Sequence, residues 1–137
     1  GINTCIDTSG SIISDSVLKL LDVTDHILLD IKYTSDESYR KYVGCSIDKP
    51  LEFLKIANDK NIPVTLRQVI IPTLNDNEEN ILALKEIAKR YPCVTKTELL
   101  PFKKLCVTKY EKLGVDFPFK DIPEPSKKIM DALSELI

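Results

Sequence analysis

Short apolar segments of strand length alternate with amphipathic helical segments along most of this chain. Strands are predicted near residues 3–7, 26–33, 63–71 and 95–100, with helical patterns between them. This alternation is typical of repeated βα units that build a parallel sheet. Because four strands do not close a barrel, the sequence predicts an α/β fold that is a partial (β/α) barrel, with about four parallel strands and outer helices.

The βα rhythm ends near residue 101. Residues 102–124 have no clear period and include Pro118 and Pro123, and a last helix is predicted from about Ser126. We therefore expect one domain, with βα units over residues 1–101 and a coil-rich tail plus the last helix over 102–137. The chain starts at Gly1 without a Met, so we expect a longer protein whose preceding units pair with the strand near residues 3–7.

Composition narrows the range of partners. The formal net charge of −2 gives no reason to expect nucleic acid or an anionic membrane. No apolar run approaches the roughly 20 residues of a membrane span, and no leader is visible, so a cytoplasmic protein is the expectation. The four cysteines are too scattered for a metal-binding spacing and are expected to be reduced thiols: Cys5, Cys45, Cys93 and Cys106.

Four charged residues lie in otherwise apolar strands: Asp7, Asp30, Lys32 and Arg67. A charge buried without a partner is costly, so such residues normally pair or face a ligand. Asp30 and Lys32 project to the same face, and the strand ends are where parallel sheets bind ligands. Arg67 lies earlier in its strand and would have to reach up to the same mouth. A charged pocket at the carboxyl end of the sheet is the prediction.

The residue types alone are compatible with three different roles for this pocket. Carboxylates beside Lys32 and Arg67 suit a zwitterion such as an amino-acid group. Asp7, Asp30 and the Thr8 hydroxyl suit a hard cation. Alternatively, Asp30–Lys32 and Asp7–Arg67 are ion pairs that close the end of the sheet.

Several motifs in order carry a family resemblance: GINTCIDTSG at 1–10, LLDIK at 28–32, YVGCS at 42–46, LEF at 51–53, PVTLRQVIIP at 63–72 and ELLPF at 98–102. Together they resemble the C-terminal portion of the activating enzymes of glycyl-radical enzymes. The resemblance implies a radical S-adenosylmethionine enzyme built on a partial (β/α)6 barrel. It also implies a [4Fe-4S] cluster held by a C-x-x-x-C-x-x-C loop and reduced by an electron donor. The partner would be a glycyl-radical enzyme such as pyruvate formate-lyase, which loses a glycine hydrogen atom to a 5′-deoxyadenosyl radical.

The resemblance also implies residue roles. Asp7, Thr8, Asp30 and the Leu28 carbonyl resemble the family's monovalent-cation site. The same two aspartates, with Lys32 and Arg67, resemble its contacts to S-adenosylmethionine. Lys103 stands where many activases carry a histidine in contact with the cofactor, and Phe102 replaces a tyrosine.

The cysteine loop that would hold the cluster is absent from these residues. We therefore expect no cluster ligand and no catalytic residue in this chain, which would be inactive by itself. Two alternatives stay open: an activase for a different glycyl-radical enzyme, such as a dehydratase or decarboxylase, and a non-catalytic half-barrel binding module.

Overall fold

A computed structural model describes all residues from 1 to 137. Its single sheet has four strands in the spatial order of the chain, and every neighbouring pair is parallel: β1 (Cys5–Thr8), β2 (His26–Asp30), β3 (Val64–Ile70) and β4 (Val94–Pro101). Parallel strands joined by right-handed crossovers in sequential order place all connecting helices on one face. This is the arrangement of a barrel segment, and it confirms the predicted partial barrel of parallel strands.

Six helices connect or follow the strands: α1 (Asp15–Leu21), α2 (Asp36–Tyr42), α3 (Asp48–Asp59), α4 (Glu78–Arg90), α5 (Val107–Leu113) and α6 (Lys127–Ser134). Four of them begin after a serine or asparagine whose side chain accepts a hydrogen bond from a backbone N–H of the first turn: Ser14, Ser35, Asn77 and Ser126. Such caps satisfy donors that the helix itself cannot. Local sequence therefore sets where these helices start.

The two faces of the sheet differ sharply in burial. On the helix face, Ile27, Leu29 and Leu66 are completely buried against the helices in the main hydrophobic core. On the opposite face, which we call the inner face, Leu28, Asp30 and Arg67 keep partial exposure. No helix covers the inner face at these positions, so polar side chains can line it.

Residues 102–125 form a tail that docks through its own aromatic cluster. Phe102 and Phe117 are buried with Ile71, just past the end of β3, and Phe119 reaches Tyr42 on α2 with ring centroids 6.5 Å apart. The sequence pattern left this tail without regular structure, but the structure places α5 within it. Its apolar residues contact a small cluster rather than a continuous helix face, which explains why no period was visible.

Differences at the element ends are small. β1 begins two residues later than predicted and β2 ends at Asp30, so Lys32 lies beyond its strand. In α6, Met130 and Leu133 pack in a small cluster with Ile70 and Ile81, whereas Ile129 is exposed. No helix of the chain is long and apolar enough to cross a membrane.

Thr73 has a backbone conformation that β-branched residues rarely adopt, with φ of 68° in the loop after β3. Only its backbone N–H is tied down, by Asp76 Oδ1 at 2.7 Å. Relief of left-handed strain outweighs the greater unfolded-state entropy of glycine, so we expect Thr73→Gly to raise the free energy of unfolding by about 1 kcal/mol. Urea denaturation would measure it.

Asn61 supplies the matched control, since it has φ of 54° but is a residue type that tolerates this region. We expect Asn61→Gly to change the free energy of unfolding by less than about 0.5 kcal/mol. Equal effects of the two substitutions would contradict the assignment of strain to Thr73.

Candidate functional site at the carboxyl end of the sheet

One arginine joins three strands at the inner face. Arg67 Nε donates to Asp30 Oδ1 at 2.8 Å, and Arg67 Nη2 donates to Asp7 Oδ1 at 2.5 Å. Lys32 Nζ donates to the other oxygen of Asp30, Oδ2, at 2.8 Å. The four charged residues predicted from the sequence therefore form one continuous network of two carboxylates and two cations.

Strand register explains how Arg67 reaches this network. Arg67 lies directly beside Asp30 in the β2–β3 pairing, because β3 continues past the end of β2. Arg67 does lie earlier in its strand, three residues before the end of β3, but the expectation that it must reach upward is wrong, because it is in register with Asp30. Its reach is sideways instead, across β2 to Asp7 on β1.

Both predicted ion pairs, Asp30–Lys32 and Asp7–Arg67, form in the structure. The Arg67 side chain is only 14% exposed, and Asp30 is 20% exposed, so their contact is largely shielded from water. Burial acts to lower the pKa of Arg67, but hydrogen bonds and charge from Asp7 and Asp30 outweigh it and raise that pKa. Arg67 is thus a permanent cation at this site.

The network leaves three of the five N–H donors of Arg67 unused. Nε and Nη2 of Arg67 hold the two aspartates, while Nη1 has no hydrogen-bond partner within the protein. A guanidinium has five N–H donors in a fixed plane, so two fixed contacts also fix the direction of the remaining ones. Arg67 therefore offers a preoriented donor to an anionic or hydroxyl group on the inner face.

Tyr39 is a supporting residue that sequence reasoning missed. Its hydroxyl accepts a hydrogen bond of 2.9 Å from the backbone N–H of Lys32, and its ring is buried in α2. Burial is the main cause that raises the pKa of Tyr39 to about 12. Tyr39 thereby fixes the backbone that carries Lys32 just beyond β2. A tyrosine in a helical pattern gives no signal of this role.

The inner face carries further polar side chains that the sequence did not single out. Glu98 on β4 is the register partner of Arg67 and is paired with Lys96. Lower on the face, His26 Nε2 and Thr65 Oγ1 are 2.9 Å apart. His26 is the first residue of β2. Alternation along β4 is the signal that would have placed Glu98 here.

The remaining predicted site residues are placed around this network. Thr8 Oγ1 accepts from the backbone N–H of Gly10 at 3.0 Å, in the turn after β1. Leu28 lies within β2 in register with Asp7. Lys103 follows the end of β4 and pairs with Glu124 at 2.6 Å, which closes the base of the tail. No contact of this structure joins Lys103 to the Arg67 network.

The cysteines lie on separate elements. Cys5 and Cys45 are exposed, Cys93 is buried, and Cys106 is half-buried in the tail. No group of three or more His, Cys, Asp or Glu side chains is arranged to hold a metal ion. The donor set of these residues therefore does not fit an iron–sulfur cluster.

The structure so far is a segment of a parallel (β/α) barrel with a charged network at the carboxyl ends of its strands, where such barrels bind ligands. A sequence model of the Radical SAM superfamily matches residues 1–84. The chain belongs to the Radical SAM superfamily.

Curated relatives of this chain include activating enzymes of pyruvate formate-lyase. The chain is 40% identical to the pyruvate formate-lyase-activating enzyme of Clostridium pasteurianum and 34% identical to the pyruvate formate-lyase 1-activating enzyme of Escherichia coli K12. All of this chain is covered in both comparisons, but only 59% and 56% of the relatives. The chain thus spans somewhat over half the length of the curated relatives it matches, and it aligns with them as a C-terminal fragment of such an activase.

Solved structures support the fold. A domain of a pyruvate-formate lyase-activating enzyme from Bacteroides vulgatus superposes with a TM-score of 0.73 at 15% identity, covering 98% of this chain and 74% of that one. Coproporphyrinogen III oxidase from Escherichia coli, a radical SAM enzyme, superposes with a TM-score of 0.63 at 14% identity, over 97% of this chain and 30% of that one. At these identities the likeness concerns the fold alone.

Proposed function

We propose that this chain is the cofactor-binding barrel portion of a pyruvate formate-lyase activating enzyme. In this proposal the parent protein generates a glycyl radical on its partner, and an electron donor reduces its cluster. S-adenosyl-L-methionine and a [4Fe-4S] cluster, when bound, supply the radical chemistry that removes a hydrogen atom from the partner's glycine. A cytoplasmic location, without a nucleic-acid or membrane partner, stays a prediction.

The observation that carries the proposal is the free Nη1 of Arg67 on the inner face, beside the Nε that Asp30 holds at 2.8 Å. The methionine part of the cofactor brings a carboxylate, an ammonium and a sulfonium group. Arg67 and Lys32 suit its anionic group, and the two aspartates suit its cationic groups. The residues present therefore fit the cofactor.

Within this proposal the chain's own residues bind and orient. Arg67 holds the ligand's carboxylate or a hydroxyl through Nη1, and Lys32 offers its ammonium beside Asp30. Tyr39 keeps the Lys32 backbone in place. We further propose, from the resemblance, that a monovalent cation shares Asp7, Thr8, Asp30 and the Leu28 carbonyl, and that Lys103 contacts the cofactor. Such a cation would have to share two carboxylates that Arg67 and Lys32 now neutralise.

The cluster needs ligands that these residues do not supply. We expect that reconstitution of the 137-residue chain with iron and sulfide yields no [4Fe-4S] cluster, because its cysteines lie on separate elements. Iron and sulfide analysis with electron paramagnetic resonance of the reduced sample would measure this. A stoichiometric cluster, lost on replacement of Cys5 and Cys45 by serine, would overturn the argument that the cluster ligands lie outside these residues.

The gene product that contains these residues tests the function. We expect that, with S-adenosyl-L-methionine and a reductant, it produces a glycyl-radical signal on pyruvate formate-lyase in electron paramagnetic resonance spectra. Pyruvate formate-lyase with its radical glycine replaced by alanine is the control. A signal only on a glycyl-radical dehydratase or decarboxylase would favour the alternative target. Absence of a signal on every partner would favour a non-catalytic binding module.

A further inference from the structure

Arg67 lies between two carboxylates on neighbouring strands. It is in register with Asp30 on β2 and with Glu98 on β4. Alternation along parallel strands places all three side chains on the inner face. The guanidinium is turned to the Asp30 side, and Glu98 is bound by Lys96 instead. A second acceptor for Arg67 therefore stands one strand away, on the side it does not now use.

The contacts that hold this arrangement differ in strength. The Arg67–Asp30 contact is largely shielded, at 14% and 20% exposure. Asp7 and Lys96 are each 63% exposed, so the Arg67–Asp7 and Lys96–Glu98 pairs are weakened by water. Arg67 also spans two strand spacings, about 10 Å, to reach Asp7, but Glu98 is about 5 Å away strand to strand.

We propose that Glu98 is a further positioning residue of the site: it receives the Arg67 guanidinium when a cationic group of the ligand occupies Asp7. Arg67 pivots on Asp30, leaves Asp7 and joins Glu98, which releases Lys96 to water. Asp7 is then free for the ligand, and the shielded guanidinium never lacks carboxylate partners. The role of the cofactor in this exchange rests on the proposed function. The exchange of Arg67 between Asp7 and Glu98 does not.

Asp7→Asn tests the exchange without any ligand, because it removes the charge that holds Arg67 away from Glu98. The test is a double-mutant cycle of Arg67→Met and Glu98→Gln in two backgrounds, read by urea denaturation. In the Asp7→Asn background we expect a coupling of about threefold in the unfolding equilibrium constant, the range of a partly exposed pair. In the unaltered background we expect no coupling. Equal coupling in both backgrounds would overturn the proposal.

Arginine side-chain nuclear magnetic resonance gives a second readout that a merely structural Glu98 would not move. The chain has three arginines, so the Arg67 Nε–H signal is assignable by substitution. We expect Asp7→Asn to shift this signal, Glu98→Gln to reverse the shift in that background, and Glu98→Asp to retain it. Glu86→Gln is the control, since Glu86 pairs with Lys89 on α4. A shift that is unaffected by Glu98→Gln would also overturn the proposal, whatever glycyl-radical assays of the gene product show.

Discussion

Gly10→Ala is expected to lower the free energy of unfolding by about 3 kcal/mol. Gly10 has φ of 63°, where a Cβ atom brings left-handed strain of about 1–2 kcal/mol. A Cβ at this position would also lie 3.0 Å from Leu29 Cδ1 and 3.1 Å from Phe53 Cβ. Both neighbours belong to the main core, so overpacking adds about 1–3 kcal/mol. Urea denaturation followed by circular dichroism would measure the loss.

Gly44 separates the two contributions. It also has a positive φ, 82°, but an added Cβ would meet nothing within 4 Å. We therefore expect Gly44→Ala to cost only the conformational part, about 1 kcal/mol. If both substitutions cost the same, the close approach of Gly10 to Leu29 and Phe53 would not be the source of its larger effect.

Asp30→Ala is expected to have the largest combined effect on stability and ligand binding. Asp30 is the shared partner of Arg67 and Lys32, so its loss leaves a 14%-exposed guanidinium with only the exposed Asp7. Removing one partner of a buried pair costs about 3–5 kcal/mol, and partial exposure reduces our expectation to about 2 kcal/mol. We also expect at least a tenfold loss of affinity for S-adenosyl-L-homocysteine in the gene product, because Arg67 Nη1 is no longer held in direction.

Asp59→Ala is the matched control, because Asp59 pairs with Lys55 on the outside of α3 with both side chains exposed. It should leave affinity unchanged and alter the free energy of unfolding by less than about 1 kcal/mol. Asp7→Ala should weaken binding with a smaller effect on stability, since Asp7 is 63% exposed. Unchanged affinity in both the Asp7 and Asp30 variants would remove the assignment of this network as the cofactor site.

Local signals account for the parts of the fold that could be predicted. Helix starts at Ser14, Ser35 and Asn77 depend on side chains that bond to the next turn, so they are visible in a single sequence. α5 has no such signal: it begins at Cys106 without a side-chain cap and buries no residue fully. Its formation depends on contacts with Phe102 and Phe117, which the tail brings together only on folding.

In the candidate site, too, only the features with a local sequence signal could be predicted. Alternation predicted that Asp30 and Lys32 share a face, and the structure joins them at 2.8 Å. The stagger of β3 against β2 set the position of Arg67, and stagger has no local signature. The pairing of Lys103 with Glu124 spans 21 residues of tail and was equally invisible. Long-range geometry therefore determined which of the predicted charges meet.

The uncovered inner face has a consequence for association between molecules. An exposed apolar surface tends to pack against another protein, whereas charged side chains on that surface oppose this because each would lose its hydration. Here Asp7, Asp30, Arg67 and Glu98 stand on the four successive strands, so an apolar partner laid over them would bury a charge from every strand of the sheet. The charged residues that suit a small polar ligand thus also oppose self-association through the uncovered face of the sheet.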